Sequence, residues 1–350
     1  MPEKKFEDWP AILGDLSEGR DLDPEITEAA LISVLRGEAT DAQLAAFVVA
    51  LRQKGETVEE LTGLVRAMRS ACVPIKCPPE TIDLVGAGGS PLGRKAALNV
   101  STIASFVAAG AGAKVCKHGN RKASSTSGSF DLLEELSIKA ELTPDQVSLC
   151  VEETGVGFAY ARSFHPAMRH ASQVRAELGI PTVFNLLGPL SHPASLTRQV
   201  IGVPIEETGK RMAEVLQATG TEMALVVTGD GGLDELSITG PNTIHTVTRD
   251  NVATSQISPE DVGITRATEE GISGGNAKAN AKIALEVLDG VTGPKRDIVA
   301  LNAGAGLVVA GIAENLVEGL ERANAAIDSG AALKCLNSLQ TLTKTMGGND

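Results

Sequence analysis

The chain has 350 residues and a formal net charge of -13, a balance that opposes nonspecific binding to nucleic acid or to an anionic membrane. Hydrophobic residues make up 43 % and aromatics 3 %, so the core must be built mostly from Ala, Val, Leu and Ile; the 37 glycines show no triplet period, which excludes a collagen-like chain. The five cysteines contain no CxxC pair, which argues for reduced thiols rather than a disulfide framework or a metal cluster.

The opening "MPEKKFEDWP" is charged and lacks the apolar stretch of a secretory signal. Two uncharged runs, 96–113 and 299–313, are interrupted by Gly, Asn or Ser and are short for a membrane span, so they read as buried helices of a cytoplasmic protein. Three helices are predicted across 24–71: one opening at Asp23-Pro24, one capped by Thr40 and closed by Gly55, and one that follows directly. The prolines of "CVPIKCPPE" place a hinge near 72–80.

Beyond the hinge, short apolar runs alternate with glycine loops and helical stretches. The runs are "TIDLVGAGG", "AKVCKHGN", "VGFAYAR", "TVFNLLGP", "RQVIGVP", "MALVVTGDGG" and "TIHTVTRD"; helices are expected over 101–112, 129–136, 143–153, 166–178 and 206–219. This alternation predicts an α/β fold with a largely parallel sheet. The C-terminal stretches 274–290 and 301–330 read as helices that return to the N-terminal bundle. The expected organisation is a small helical domain over 1–75, completed by helices from about 165–190, and an α/β domain over 76–350.

Parallel sheets bind ligands at the carboxyl ends of their strands. In the first such loop, "GAGGS", Gly86, Gly88 and Gly89 let backbone N–H groups approach an anion, with Ser90 beside them; Asn99, Ser101 and Thr102 then open a helix whose free N–H groups favour phosphate. The second loop, "KHGNRKASSTSGS", gathers Lys117, His118, Gly119, Asn120, Ser124, Ser125 and Ser129 ahead of another helix, which suits a second phosphate. In the third, Asp234 and Glu235 form an acidic pair able to hold Mg²⁺ already bound to phosphate. In "FHPAMRHASQVRAELG", Met168 and Arg175 stand seven apart, two turns along one helical face, where the Arg can receive an aromatic carboxylate; His165 and His170 read as packing or capping residues.

In combination, "GAGGS", "NVST", "KHGNRKASSTSGS", "MRHASQVRAELG", "FNLLGPL" and "LDEL", in that order, resemble the anthranilate phosphoribosyltransferase family over about residues 10–340. The resemblance implies a helical domain packed on an α/β domain, often as a homodimer, acting in tryptophan biosynthesis. It implies transfer of phosphoribose from 5-phosphoribosyl 1-diphosphate to the amino group of anthranilate. Carried over by position, Lys117, Asn120 and Arg175 are the expected catalytic set. Gly86, Gly88, Gly89, Ser90, Asn99, Ser101, Thr102, Lys117, His118, Gly119, Asn120, Ser124, Ser125 and Ser129 face the donor. Asn120, Met168 and Arg175 face anthranilate, and Ser101, Asp234 and Glu235 serve Mg²⁺.

The chain departs from the family's GTGGD loop: Ala87 and Ser90 replace its Thr and Asp, and the segment to Asn99, with Arg94 and Lys95, is longer. A paralogue with another aromatic acceptor, or a nucleoside phosphorylase-like enzyme, is the alternative. Small-molecule substrates are expected, with no nucleic-acid or membrane partner.

Overall fold

The computed structural model describes residues 8–90, 98–121 and 126–346. Helices α1 (Trp9–Ser17), α2 (Pro24–Leu35), α3 (Asp41–Lys54) and α4 (Val58–Ser70) form the N-terminal bundle. Reciprocal capping by Thr40 with Gln43 and by Thr57 with Glu60 starts α3 and α4 where free N–H groups would otherwise be unpaired. Trp9 meets Phe47 edge to face, with ring centroids 5.6 Å apart. Glu60 is fully buried, yet it accepts from Leu22 N–H at 3.0 Å and from Lys54 Nζ at 2.9 Å, so its charge is compensated.

The central strands are β1 (Asp83–Gly86), β2 (Val115–Gly119), β3 (Val156–Tyr160), β4 (Arg198–Gly202), β5 (Met223–Thr228), β6 (Asn242–Thr248) and β7 (Val252–Ile257). Five of them form a sheet in the order β1-β4-β5-β6-β7, parallel through β5 and antiparallel beyond it. The parallel pair β2-β3 joins this sheet beside β1: Ile82 N–H donates to Lys114 O at 2.8 Å, and Cys116 N–H to Ile82 O at 2.9 Å. The intervening helices are α5 (Val100–Gly110), α6 (Ser129–Glu135), α7 (Pro144–Thr154), α8 (Ala161–Phe164), α9 (Arg169–Leu178), α10 (Phe184–Leu190) and α11 (Glu206–Ala218). After β7 come α12 (Glu269–Ile272), α13 (Ala277–Leu288), α14 (Pro294–Val309), α15 (Leu316–Asp328) and α16 (Ala331–Thr345). The expected α/β class with a largely parallel sheet is what the chain adopts.

Three expectations need correction. "TVFNLLGP" is helix α10 rather than a sheet strand. Phe184, Leu187 and Leu190 are buried at every third position, a helical spacing, and α10 packs on α4 while Thr182 N–H donates to Asn185 Oδ1 at 3.1 Å. The 301–330 stretch is two helices rather than one, because Gly311 turns the chain at φ 72° and Asn315 starts α15 by accepting from Glu318 N–H at 3.0 Å. The C-terminal helices α13, α14, α15 and α16 do not return to the bundle; they pack on α5 and share the core of the β1-β2-β3 region. The helices that do pack on the bundle are α9, against α2 and α3, and α10 and α11, both against α4. Strand β7 gave no alternating signal because Ala253–Gln256 are all exposed at the sheet edge. Among the described residues, no helix is long and apolar enough to cross a membrane.

Candidate active site

The carboxyl ends of β1 and β2, the β5–β6 loop, the start of α5 and the inner side of α9 enclose a cavity of about 1020 Å³. Its wall unites Gly86, Gly88, Gly89 and Ser90 from the first loop, Asn99, Ser101 and Thr102 from the start of α5, and Lys117, His118, Gly119, Asn120 and Ser129 from the second loop. Arg175 lies on the α9 side, and Asp234 with Glu235 on the β5–β6 loop. Ser124, Ser125, Arg94 and Lys95 lie outside the described residues.

The glycine loop is held by Asp234 of the acidic pair. Gly88 N–H donates to Asp234 Oδ2 at 2.7 Å, and Gly88 and Gly89 both take positive φ, 76° and 87°. A Cβ on Gly86 would lie 2.6 Å from Asp234 Oδ2, and one on Gly202 would lie 1.7 Å from Asp234 O, so this approach of backbones requires glycine on both strands. Ser90, 1 % exposed, donates its hydroxyl to the Asp234 carboxylate. An Asp at this position would set a second negative charge against Asp234; a Ser instead supplies a donor, which gives the departure from GTGGD a physical consequence.

Asn99 stands at the capping position of α5, but its side chain makes no capping bond, so among the described residues the N–H groups of Ser101 and Thr102 have neither a helical nor a capping partner, as the free helix start expected for phosphate requires. Ser129 Oγ donates to Asn120 O at 3.1 Å, and Arg121 N–H donates to Asn120 Oδ1 at 2.8 Å, which folds the second loop back on itself. Arg121 pairs with Glu134 and lies over the Tyr160 ring, with its guanidinium carbon 5.8 Å from the centroid. Arg121 also lines the cavity, so among the described residues of this loop Lys117 is the basic side chain there that is not committed to an ion pair.

Lys117 is buried on β2, and its ammonium donates to the Leu84 carbonyl. Burial pulls its pKa below the ordinary lysine value, while Asp83, Glu235 and Asp234 push it back up. Asp83 is fully buried and accepts from His118 N–H at 3.1 Å; burial lifts its carboxyl to about 7, with Lys117 opposing. Asp234 and Glu235 are half-buried. Burial raises both carboxyls; for Glu235 the charge of Asp234 adds to the rise, and Lys117 opposes it in each. Two adjacent carboxylates that resist ionising together suit a hard divalent cation. Among the described residues, no three His, Cys, Asp or Glu side chains cluster closely enough to hold a metal by themselves. A cation here must complete its shell with ligand oxygens and water.

At the other end of the cavity, Arg175 lies over the Phe184 ring, its guanidinium carbon 5.1 Å from the centroid. Burial lowers its pKa, and no carboxylate pairs with it among the described residues. Ala176, Ile180, Pro181 and Asn185 line the wall beside it. This apolar slot with one unpaired guanidinium was only partly anticipated: Ile180, Pro181 and Asn185 were missed, and an Asn inside the apolar run "TVFNLLGP" was the available signal. Met168 does not line the cavity. Pro166–Met168 is a 3-10 turn ahead of α9, which breaks the helical register assumed for Met168 and Arg175, and Met168 packs toward the bundle core instead.

Behind Lys117, His118 meets His165 at a tilt and His192 edge to face, with centroids 5.2 and 5.6 Å away. His192 Nε2 donates to Cys116 O at 2.8 Å while its Nδ1 accepts from Ala194 N–H at 3.0 Å. Burial holds the His165 ring at about 4 and the His192 ring at about 3, so all three are neutral spacers rather than proton donors near neutral pH. His165 takes up a proton near pH 6.5 only in the unfolded chain, so its contribution is complete above that pH and declines as pH falls toward 4. The stability difference between the wild type and His165→Gln is therefore expected to grow by about 3 kcal/mol from pH 4 to pH 7 and then level off. Urea titrations of both proteins across that range measure it, and a constant difference would refute it.

Models of the glycosyl transferase family match two parts of the chain: its helical bundle domain at 10–72 and its a/b domain at 78–333. The anthranilate phosphoribosyltransferases of Bradyrhizobium sp. (strain ORS 278) and Nitrobacter hamburgensis are 45 % and 44 % identical over 334 residues, covering 95 % of this chain and 98 % of each relative. The crystal structure of anthranilate phosphoribosyltransferase from Thermus thermophilus superposes with a TM-score of 0.89 at 40 % identity, covering 95 % of this chain and 99 % of that one. The Saccharomyces cerevisiae enzyme in complex with PRPP and Mg superposes with a TM-score of 0.86 at 28 % identity, covering 96 % and 98 %. The two-part match, the shared fold and the cavity residues agree: the chain belongs to the anthranilate phosphoribosyltransferase family of glycosyl transferases.

Proposed function

We propose that this protein transfers phosphoribose from 5-phosphoribosyl 1-diphosphate to the amino group of anthranilate, giving N-(5-phosphoribosyl)anthranilate and diphosphate in tryptophan biosynthesis. The observation that carries the reading is one cavity with two unlike ends. One end offers backbone N–H groups, Lys117 and two carboxylates for a polyphosphate; the other offers an unpaired Arg175 beside apolar walls for an aromatic carboxylate.

In this reading the N–H groups of the glycine loop and of Ser101 and Thr102 hold donor phosphates, with Lys117, Ser129 and the second loop beside them. The Ser101, Asp234 and Glu235 oxygens hold Mg²⁺, which supplies charge neutralisation to the diphosphate when bound. The yeast relative's complex with PRPP and Mg supports that assignment. Gly88 N–H must exchange Asp234 for a donor oxygen as the donor enters. Bond breaking at the anomeric carbon places charge on the departing diphosphate, which Lys117 and the helix-end N–H groups stabilise. Arg175 and Asn120 orient anthranilate. Its amino group is neutral at pH 7, so attack requires no prior proton removal; the proton shed from nitrogen as the C–N bond forms passes to the departing diphosphate, in keeping with the neutral, buried histidines. The proposal includes a helical domain of 1–75 completed by helices from about 165–190, an α/β domain of 76–350, a homodimeric state and a cytoplasmic location.

Purified protein is expected to deplete anthranilate fluorescence only when both 5-phosphoribosyl 1-diphosphate and Mg²⁺ are present. Persistence of the signal under those conditions would overturn the assignment of acceptor.

A further inference from the structure

In the reading above, the N–H groups of Ser101 and Thr102 receive donor phosphate, and the inference here rests on that reading. An Asn at a helix capping position normally turns its amide oxygen onto those same groups. Asn276 and Asn315 do so at α13 and α15, accepting from Ala279 N–H at 2.9 Å and Glu318 N–H at 3.0 Å. Asn99 does not. Its Oδ1 accepts from Asn280 Nδ2 at 2.8 Å, and its Nδ2 donates to Ser127 O at 3.2 Å.

The polarity of this chain of amides is set at both ends. Gly275 N–H donates to Asn280 Oδ1 at 2.8 Å and has no alternative role, while the Ser127 carbonyl can only accept. Turning either amide over would set like groups against each other. Asn280 is fully buried on the opening turn of α13 and is not part of the cavity wall. The same segment grips the serine loop, since Thr126 Oγ1 donates to Gly275 O at 2.9 Å.

We propose that Asn280 is a positioning residue for donor binding: it holds Asn99 away from its own helix, keeping the N-terminal N–H groups of α5 open to phosphate. Without it, Asn99 swings onto those groups and competes with the ligand. In "GGNAKANAK" the residue reads as one more polar helix position, because its partner is 181 residues away.

The test measures inorganic diphosphate binding with Mg²⁺ by calorimetry, together with steady-state kinetics, for the wild type, Asn280→Leu, Asn99→Ala and the double variant. Asn280→Leu is expected to weaken diphosphate binding and to raise the donor KM by about tenfold. The anthranilate KM and kcat are expected to stay unchanged. In the Asn99→Ala background the same substitution should have no further effect on the donor. Asn280→Asp keeps the size of the side chain and the acceptor for Gly275 but removes the donor to Asn99. It should weaken donor binding in the same way, and it carries the test if the Leu variant does not fold. Equal donor affinity in wild type and variants, or a loss that persists in full without Asn99, overturns the proposal. The binding arm is independent of the acceptor. A wild type that binds diphosphate but spares anthranilate overturns the acceptor assignment while still testing Asn280, and one that binds no diphosphate overturns both.

Discussion

Replacement of Asp234 by Asn together with Glu235 by Gln is expected to lower turnover by about a thousandfold or more, with the fold preserved. The two side chains keep their size, and the amide oxygen that replaces the Asp234 carboxylate can still accept from Gly88 N–H, so the glycine loop stays attached. What is lost is the charge that attracts a divalent cation to the donor's diphosphate. Burial disfavours both carboxylates and Asp234 further disfavours Glu235, while the buried Lys117 favours their charged forms, so neutralising them relieves one cost and removes part of the compensation of Lys117. The variant should therefore melt close to the wild type in metal-free buffer, and added Mg²⁺ with diphosphate should stabilise it far less. Initial rates against Mg²⁺ concentration, with melting curves from the same preparations, measure both effects. Unchanged turnover and unchanged Mg²⁺ dependence would exclude the pair from metal binding.

Arg175→Ala is expected to raise the anthranilate KM by about a hundredfold while the donor KM stays near that of the wild type. A guanidinium with no carboxylate partner among the described residues, lying over Phe184 beside Ile180 and Pro181, is arranged to receive a planar aromatic acid. Removing it takes away the charge that pairs with the substrate carboxylate but leaves no buried carboxylate unpaired in the protein, so the stability loss should be small. Arg175→Lys keeps the charge but cannot form two parallel bonds to one carboxylate, and it should fall between the two. Anthranilate titrations at saturating donor, and donor titrations at saturating anthranilate, separate the effects. Equal shifts in both KM values would mean that Arg175 organises the cavity as a whole rather than its acceptor end.

The residues legible from sequence were those whose chemistry is local. Glycines that end a strand, an Asn-x-Ser-Thr at a helix start and a Lys-His-Gly-Asn turn each announce themselves within a few positions. These are the elements that line the donor end of the cavity. The acceptor end was harder to read, because its walls come from the end of α9 and from α10, and the apolar run of α10 carries no feature that separates a short buried helix from a strand. Packing on α4 decides that difference. Met168 was misplaced for a related reason: a single 3-10 turn after Pro166 shifts the face that a side chain presents.

By itself the amino-acid sequence determined the helical N-terminal segment, the alternating α/β portion and the order in which anion-binding loops follow the strands, because capping, periodicity and glycine placement act over short stretches of chain. Only the tertiary structure decided how the elements use one another. It set Asp234 against Gly88 and Ser90, buried Asp83 beside Lys117, neutralised three clustered histidines, and turned Asn99 away from its own helix toward Asn280. These are long-range juxtapositions in a low-dielectric interior. There, the energy of a charge or an amide depends on what the fold brings against it rather than on its neighbours in the chain.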